Sequence, residues 1–262
     1  MKMTAYENGA PCWIDLMTTD REKAIAFYTG LFGWEIGEDS GPDAHHYTQF
    51  TLRGKSVAAV VDMMPDTAAG GMSSTWTTYL AVDDLDALAA KVVPAGGTVA
   101  MPPMDVMAAG RMAMIADPSG ALVGLFQAGE HHGAELIYEA GTMGWNELTT
   151  RDPEKALIFW NDVLGWVDQP KAMGPTTYHE IQNAGRTVAG CMPMEGGWWP
   201  ADTPSHWMVY FVVDDADASA AKAAELGGVV SVPPTDNSYG RFAVLNDPTG
   251  GIFSIIQMGA TA

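Results

Sequence analysis

The sequence predicts an α+β fold in two homologous halves, and three observations predict it. A long internal repeat divides the chain, and strand and helix signals follow the same order in each copy. The 262 residues, at 47% hydrophobic content, suffice for a substantial core. The halves run near 11–129 and 143–259, which gives domains over 1–130 and 143–262 and a connection over 131–142.

The repeat is read directly. "CWIDLMTTDREKAIAFYTGLFGW", from Cys12, is matched by "GWNELTTRDPEKALIFWNDVLGW", from Gly144. Setting Trp13 on Trp145 also aligns Leu16 with Leu148, Asp20 with Asp152, Phe27 with Phe159, and Gly33 with Gly165. After a single-residue deletion, "YTQFTLRGKSVAAVVDM" lies over "YHEIQNAGRTVAGCMPM". "WTTYLAVDDLDALAAKVVPAGGTV" then lies over "WMVYFVVDDADASAAKAAELGGVV", and "GRMAMIADPSGALVGLFQ" over "GRFAVLNDPTGGIFSIIQ".

Each half contains two strand–helix–strands units. "CWIDLMT" alternates as a strand does, and Asp20 supplies an N-cap before "REKAIAFYTGLF", whose Ala24, Phe27, Tyr28 and Leu31 share a helical face. Asp152 repeats the cap, and Pro153 occupies the first helical position, where its missing N–H costs nothing. Two or three strands follow within "HHYTQFTLRGKSVAAVVDM". The order then restarts with the strand "TWTTYLAVD" and the helix "DLDALAAKVVPAG", ended by Gly96 and Gly97. The strands "TVAMPP", "GRMAMIAD" and "ALVGLFQ" close the half, with "DPSG" as a turn.

Composition excludes several function classes. With 13 Lys+Arg against 32 Asp+Glu and a net charge of −19, the chain lacks the basic footprint that phosphate binding needs, so nucleic acid is not an expected partner. No window approaches the roughly 18 apolar residues of a membrane span, and the N-terminus lacks a signal-peptide layout. The expectation is therefore a cytoplasmic protein without a membrane partner. Cys12 and Cys191 fit neither a zinc spacing nor a disulfide framework and read as buried hydrophobes.

The motifs "TTDxEKAxxFYxxxxGW" at the head of each half, "VDD" before the second helix, and "DPSG" or "DPTG" before the last strand resemble the vicinal oxygen chelate superfamily of glyoxalases, extradiol dioxygenases and bleomycin-resistance proteins. The resemblance implies four βαβββ modules paired into two glyoxalase-like domains, each with a curled mixed sheet enclosing a cavity. Fold does not fix the reaction.

Enzymes of that superfamily hold a divalent metal with a histidine on the first strand and a glutamate on the last strand of a module. Counting from the helix and turn aspartates, the resemblance places the first-strand ligands at Trp13 and Trp145, and at Thr77 and Met208 in the second modules. The last-strand ligands fall on Gly124 and Ser254. None is a good ligand, whereas a catalytic zinc, nickel or iron site needs about three imidazole, thiolate or carboxylate donors. The expectation is that no metal or other cofactor is required, with iron, nickel or zinc held by other residues as the alternative. The six histidines build no replacement. His45 and His46 sit in a polar loop, His131 and His132 diverge in the connection, His179 aligns with Thr48 and His206 with Thr75.

Strand alternation puts Asp15 and Glu147 on the same face as Trp13 and Trp145. Given the resemblance, that is the cavity face, and a carboxylate against apolar walls has a raised pKa suited to acid–base work or to accepting a ligand hydroxyl. Asp15 and Glu147 are thus the candidate catalytic residues. The competing structural reading ties them to backbone groups or to Arg111 and Arg241. The same alternation lines the first cavity with Met17, Thr77, Tyr79, Leu122, Gly124 and Phe126. It lines the second with Thr149, Met208, Tyr210, Ile252, Ser254 and Ile256. Trp198 and Trp199, in a loop that differs between the halves, are placed over the second cavity.

Nine tryptophans and 17 methionines suit a flat apolar ligand, since indole offers a stacking face and thioethers adapt to shape. The expected function is metal-independent binding of a small apolar or aromatic molecule, for sequestration or a step of secondary metabolism. The alternatives are a metal-dependent lyase, isomerase or dioxygenase/hydroxylase, and a non-catalytic scaffold whose cavities are filled by side chains. Because four modules complete two cavities within one chain, a monomer or a weak homodimer is expected.

Overall fold

A computed structural model of the chain describes residues 1–259, the side chain of Trp198 excepted. The first half runs β1 (Pro11–Thr18), α1 (Arg21–Phe32), β2 (Glu35–Asp39), β3 (Thr48–Leu52), β4 (Lys55–Asp62), α2 (Pro65–Ala69), β5 (Thr75–Ala81), α3 (Leu85–Val92), β6 (Thr98–Val106), β7 (Gly110–Ala116) and β8 (Leu122–Ala128). The second runs β9 (Met143–Thr150), α4 (Pro153–Leu164), β10 (Val167–Met173), β11 (Thr176–Asn183), β12 (Arg186–Pro193), β13 (His206–Val212), α5 (Ala216–Glu225), β14 (Val229–Asn237), β15 (Gly240–Asn246) and β16 (Ile252–Met258).

Each half is one eight-stranded mixed sheet, ordered β2-β3-β4-β1-β5-β8-β7-β6 in the first and β10-β11-β12-β9-β13-β16-β15-β14 in the second. Within each half the two βαβββ modules meet where their first strands pair antiparallel, β1 with β5 and β9 with β13. Each first strand also pairs parallel with the last strand of its own module, as β1 does with β4 and β13 with β16. The strands that carry the candidate site therefore lie at the centre of the sheet.

The helices begin where the sequence places caps. Asp20 accepts the N–H of Lys23, and Asp152 that of Lys155. In the second modules the cap is the second aspartate of "VDD", Asp84 or Asp215. Gly33 and Gly165 end α1 and α4 in the left-handed region, at φ of 70° and 72°. The turn aspartates also have a local task. Asp117 accepts from the N–H groups of Ser119 and Ala121, and Asp247 from those of Thr249 and Gly251.

Each of α1, α3, α4 and α5 buries one face. Phe27, Tyr28 and Leu31 of α1 share one core with Val209 and Phe211 of β13, Ala220 of α5, and Phe253 and Ile255 of β16. In the mirror arrangement, Phe159, Trp160 and Val163 of α4 share a core with Leu85 and Leu88 of α3 and with Ile115 and Val123 of β7 and β8. Module 1 thus packs on module 4, and module 2 on module 3. The Tyr28 hydroxyl donates to Asp247 Oδ2 at 2.9 Å across this boundary. Gly97 and Gly228 lie against it too: a Cβ there would stand 2.6 Å from the Phe159 ring and 2.9 Å from the Phe27 ring. The glycines that end the second helices thus also admit an aromatic side chain from the other half.

The connection is not a loose tether. Ala134, Leu136 and Ile137 are buried in the first core, and Ala134 and Glu135 donate their N–H groups to Cys12 and Ser56. No helix among the described residues is long and apolar enough to cross a membrane.

Because the cores are shared, cutting Phe253 back to alanine is expected to destabilise both halves together, by about 3–5 kcal/mol. Urea unfolding followed by tryptophan fluorescence should shift as one transition. Two separated transitions, with the first half unaffected, would contradict the shared core.

Candidate ligand-binding site

With Leu148 turned to the helices and buried, Trp145 and Glu147 of β9 project from the opposite, concave face of the second sheet. In register, Trp145 stands beside Tyr210 and Glu147 beside Met208 on β13, with Gly190 of β12 on the other side of Glu147. Glu147 is only 7% exposed. The Tyr210 O–H donates to Glu147 Oε1 at 2.9 Å. Tyr178 of β11 accepts the Trp145 indole N–H at 2.9 Å. It reaches that position over Gly190, where a Cβ would come within 1.8 Å of its hydroxyl.

This wall bounds a cavity of about 390 Å³, closed further by Met173, Glu180, Met192, Tyr239, Ile256 and Met258. Tyr239, in the turn before β15, is set by the Asn237 side chain accepting its N–H, and its hydroxyl donates to Glu180 Oε1 at 3.0 Å. A second cavity of about 330 Å³ adjoins the first, sharing Tyr138, Gly144, Trp145 and Thr187 with it.

Burial pushes the Glu147 carboxyl up to about 6, and the hydroxyls of Tyr178 and Tyr210 pull it part of the way back. The phenols are held well above their ordinary range by burial and by the neighbouring carboxylate, so they remain donors. Glu147 therefore changes charge just below neutral pH, in a wall that also holds Glu180, phenol donors and apolar faces.

The first half repeats the constellation and covers it with a ring from the connection. Trp13 donates to the Tyr47 hydroxyl at 2.7 Å, and Tyr47 lies 3.4 Å from Asp15 Oδ2. Burial pushes Asp15 up to about 7, against the pull of Tyr79 and Tyr47. Here, however, the His131 ring of the connection packs edge-on against Trp13, with centroids 4.4 Å apart, and lies 5.7 Å from Phe126. Trp13, Asp15, Tyr79 and Phe126 are all buried. Burial and His132 hold the His131 pKa down, to about 4, so the plugging ring is neutral.

Comparison with known proteins fits this architecture. Residues 12–125 match the model of the glyoxalase/bleomycin resistance protein/dioxygenase superfamily, and residues 146–256 match that of a glyoxalase-like domain. Over 261 residues the chain is 48% identical to CFP32 of Mycobacterium tuberculosis, a protein that carries a glyoxylase name, covering 98% of this chain and 97% of that one. The chain belongs to the glyoxalase/bleomycin resistance protein/dioxygenase superfamily. It is also 41% identical to the anthracycline biosynthesis protein DnrV of Streptomyces peucetius, over 98% of this chain and 96% of the relative. Among solved structures, the Mn(II)-bound glyoxalase of Novosphingobium aromaticivorans superimposes with a TM-score of 0.67 at 19% identity, over 95% of this chain and 82% of that one. The 2,3-dioxygenase LapB of Pseudomonas sp. KL28 does so with 0.65 at 15%, over 97% and 94%.

The residues present do not fit the superfamily's divalent metal. On this glyoxalase-type scaffold the mapped ligand positions hold the indoles of Trp13 and Trp145, Thr77, Met208, Gly124 and Ser254. Gly124 is covered by the Tyr79 ring, which a Cβ would meet at 2.1 Å. Among the described residues no three His, Cys, Asp or Glu side chains gather. The one carboxylate in each constellation is flanked by phenol O–H groups, whose protons occupy the directions a cation would take.

Several residues stand elsewhere than the sequence suggests. Arg111 pairs with Asp86 and Asp105, and Arg241 with Asp217 and Asp236, so neither reaches Asp15 or Glu147; tyrosines take that place. Leu122 and Ile252 open their strands at the sheet margin and are exposed rather than lining a cavity. Met208, Ser254 and Thr149 are on the concave face but lie buried one pleat beyond the cavity wall. Met17 and Thr77 are half-buried at the corresponding level of the first sheet. Trp199 packs edge-on toward His206, away from the cavity wall, and the Trp198 side chain lies outside the described residues. The sequence reading missed Tyr47 and Tyr178, and Glu180 and Tyr239. The first pair was visible as a tyrosine aligned in both repeats, and Tyr178 and Glu180 share a face by alternation.

A carboxyl whose pKa is raised on folding binds its proton more tightly in the folded chain, so its contribution to stability falls as pH rises from its unfolded value to its folded one. For Asp15 that window runs from 3.8 to about 7. Asp15→Asn should therefore gain on the parent protein progressively across this window and level off above it, as read from urea midpoints at each pH. A stability difference independent of pH would contradict the raised value.

Proposed function

We propose that the second half binds one small, planar, largely apolar molecule without a metal, and that Glu147 and Tyr210 read a polar group on its edge. The observation that carries this reading is the 390 Å³ cavity, in which Trp145, Tyr178, Tyr210, Ile256 and three methionines surround a single deeply buried carboxylate. Such a lining favours a flat apolar body, and the carboxylate–phenol pair supplies an acceptor and a donor for one hydroxyl or carbonyl. Above pH about 6, Glu147 is ionised and able to accept a hydroxyl proton, while Tyr210 remains protonated. In the first half His131 packs on Trp13, and the cavity of about 540 Å³ beside it is lined by Gln49, Ser56, Ala109 and residues 130–135 rather than by Trp13, Asp15 or Tyr79.

The relative named for anthracycline biosynthesis supports an aromatic, fused-ring ligand class, used either in sequestration or in a step of secondary metabolism. Metal-dependent chemistry of the superfamily is the weaker reading, because each buried constellation offers one carboxylate among phenols and an indole, and the other carboxylate of the second cavity, Glu180, is paired with Tyr239 and Lys171.

Titration with 1,4-dihydroxyanthraquinone, followed by tryptophan quenching, is expected to saturate at one molecule per chain. Trp145→Ala should weaken it about tenfold or more, the loss of roughly 1.4 kcal/mol that one aromatic contact represents. Saturation at two per chain, or no binding, would overturn the reading. Elemental analysis of protein purified without an affinity tag is expected to find no stoichiometric metal. One equivalent of tightly held manganese, iron, nickel or zinc would restore the metal-dependent alternative.

A further inference from the structure

The two halves differ at several positions that face the cavity, and one pair changes its charge and hydrogen bonding. Glu180 on β11 corresponds to Gln49 on β3, and Tyr239 corresponds to Ala109. In the first half Gln49 is neutral and accepts a hydrogen bond from Ser56, and it lines a cavity of about 540 Å³ bounded by the neutral His131 ring, which covers Trp13. In the second half the homologous wall carries two carboxylates, Glu147 and Glu180, and no Lys, Arg or His lines the cavity among the described residues. Glu180 accepts from Tyr239, whose ring lies 5.5 Å from that of Tyr178. The cation nearest it is Lys171, with Nζ 3.7 Å from Oε2; Lys171 is half-exposed on the outer strand β10 and is not part of the cavity wall.

His131 also shows what kind of body the shared face accepts, because a planar ring from the chain's own connection lies against Trp13, the counterpart of Trp145. With a neutral occupant, the counter-charge beside these two carboxylates among the described residues is the half-exposed Lys171, which lies outside the cavity wall. A protonated amine would pair with Glu180 and meet the electron-rich faces of Tyr178 and Tyr239.

We infer that the second cavity takes a planar aromatic molecule bearing a protonated amine, its ring against Trp145 and its ammonium at Glu180 between the two tyrosines. This rests on the proposed binding function and adds the charge class of the ligand. Tyr239, set by Asn237, is then the specificity-determining side chain that completes the amine subsite, which the first half lacks.

The test uses the full chain and two probes of one shape, 2-naphthylmethylamine and 2-naphthylmethanol, with affinities from isothermal titration at pH 7.5. The amine is expected to bind about tenfold more tightly than the alcohol, a difference of about 1.4 kcal/mol, and Glu180→Gln should bring that ratio close to one. Tyr239→Ala should reduce it in the same direction. Equal binding of both probes by the parent protein, or a preference that survives Glu180→Gln, overturns the amine subsite and leaves aromatic binding standing. If neither probe binds, the binding function falls and this inference falls with it. Because the ratio is measured on one preparation, partial unfolding of a variant lowers both affinities and is distinguishable from loss of the subsite.

Discussion

The interleaved packing of helices between the two sheets is the constraint on which everything else depends. α1 and α5 share one core and α3 and α4 the other, so each sheet buries its helix-bearing face against the opposite half. Only the concave faces remain available for a ligand. Central strands such as β1 and β9, paired on both sides, then hold their outward side chains in fixed register. That rigidity allows a carboxylate to be kept almost dry in the middle of each concave face.

A buried carboxylate without a cation is costly unless donors surround it. Both halves solve this with tyrosines: Tyr47 and Tyr79 beside Asp15, Tyr178 and Tyr210 beside Glu147. Tryptophan fixes the first phenol of each pair through its indole N–H. The halves then diverge for a reason outside the repeat. The connection presses His131 onto Trp13 and pins itself to the first half by hydrogen bonds from Ala134 and Glu135. The two halves thus hold equivalent constellations, of which the second lines a cavity and the first is covered at Trp13 by the segment that joins them.

The repeat, the helix caps and the alternation of β1, β5 and their counterparts were legible in the sequence because each reflects a local rule: an aspartate acceptor, a left-handed glycine, a period of two. β2 and the short α2 were not, since β2 is an exposed edge strand with no buried stripe and α2 is a single turn. Trp13, Asp15, Trp145 and Glu147 could be placed on one face by counting. Their partners could not, because Tyr178 reaches across a glycine on a neighbouring strand and Tyr239 arrives from a distant turn. Arginine is a natural counter-charge for a buried acid. In the fold, Arg111 and Arg241 are held at the surface by aspartates closer to them. The role of His131 was hidden for the same reason: which face a connection covers is set by tertiary packing.

In each half an indole, two phenols and a carboxylate share the concave face, and in the second half they line a cavity of about 390 Å³. The most direct measurement is a crystal structure of the protein soaked with 1,4-dihydroxyanthraquinone. The account predicts ligand density between Trp145 and Tyr210, with a ligand oxygen within hydrogen-bonding range of Glu147 and His131 still against Trp13. A metal ion on the concave face, or a ligand that displaces His131 from the first half, would contradict it.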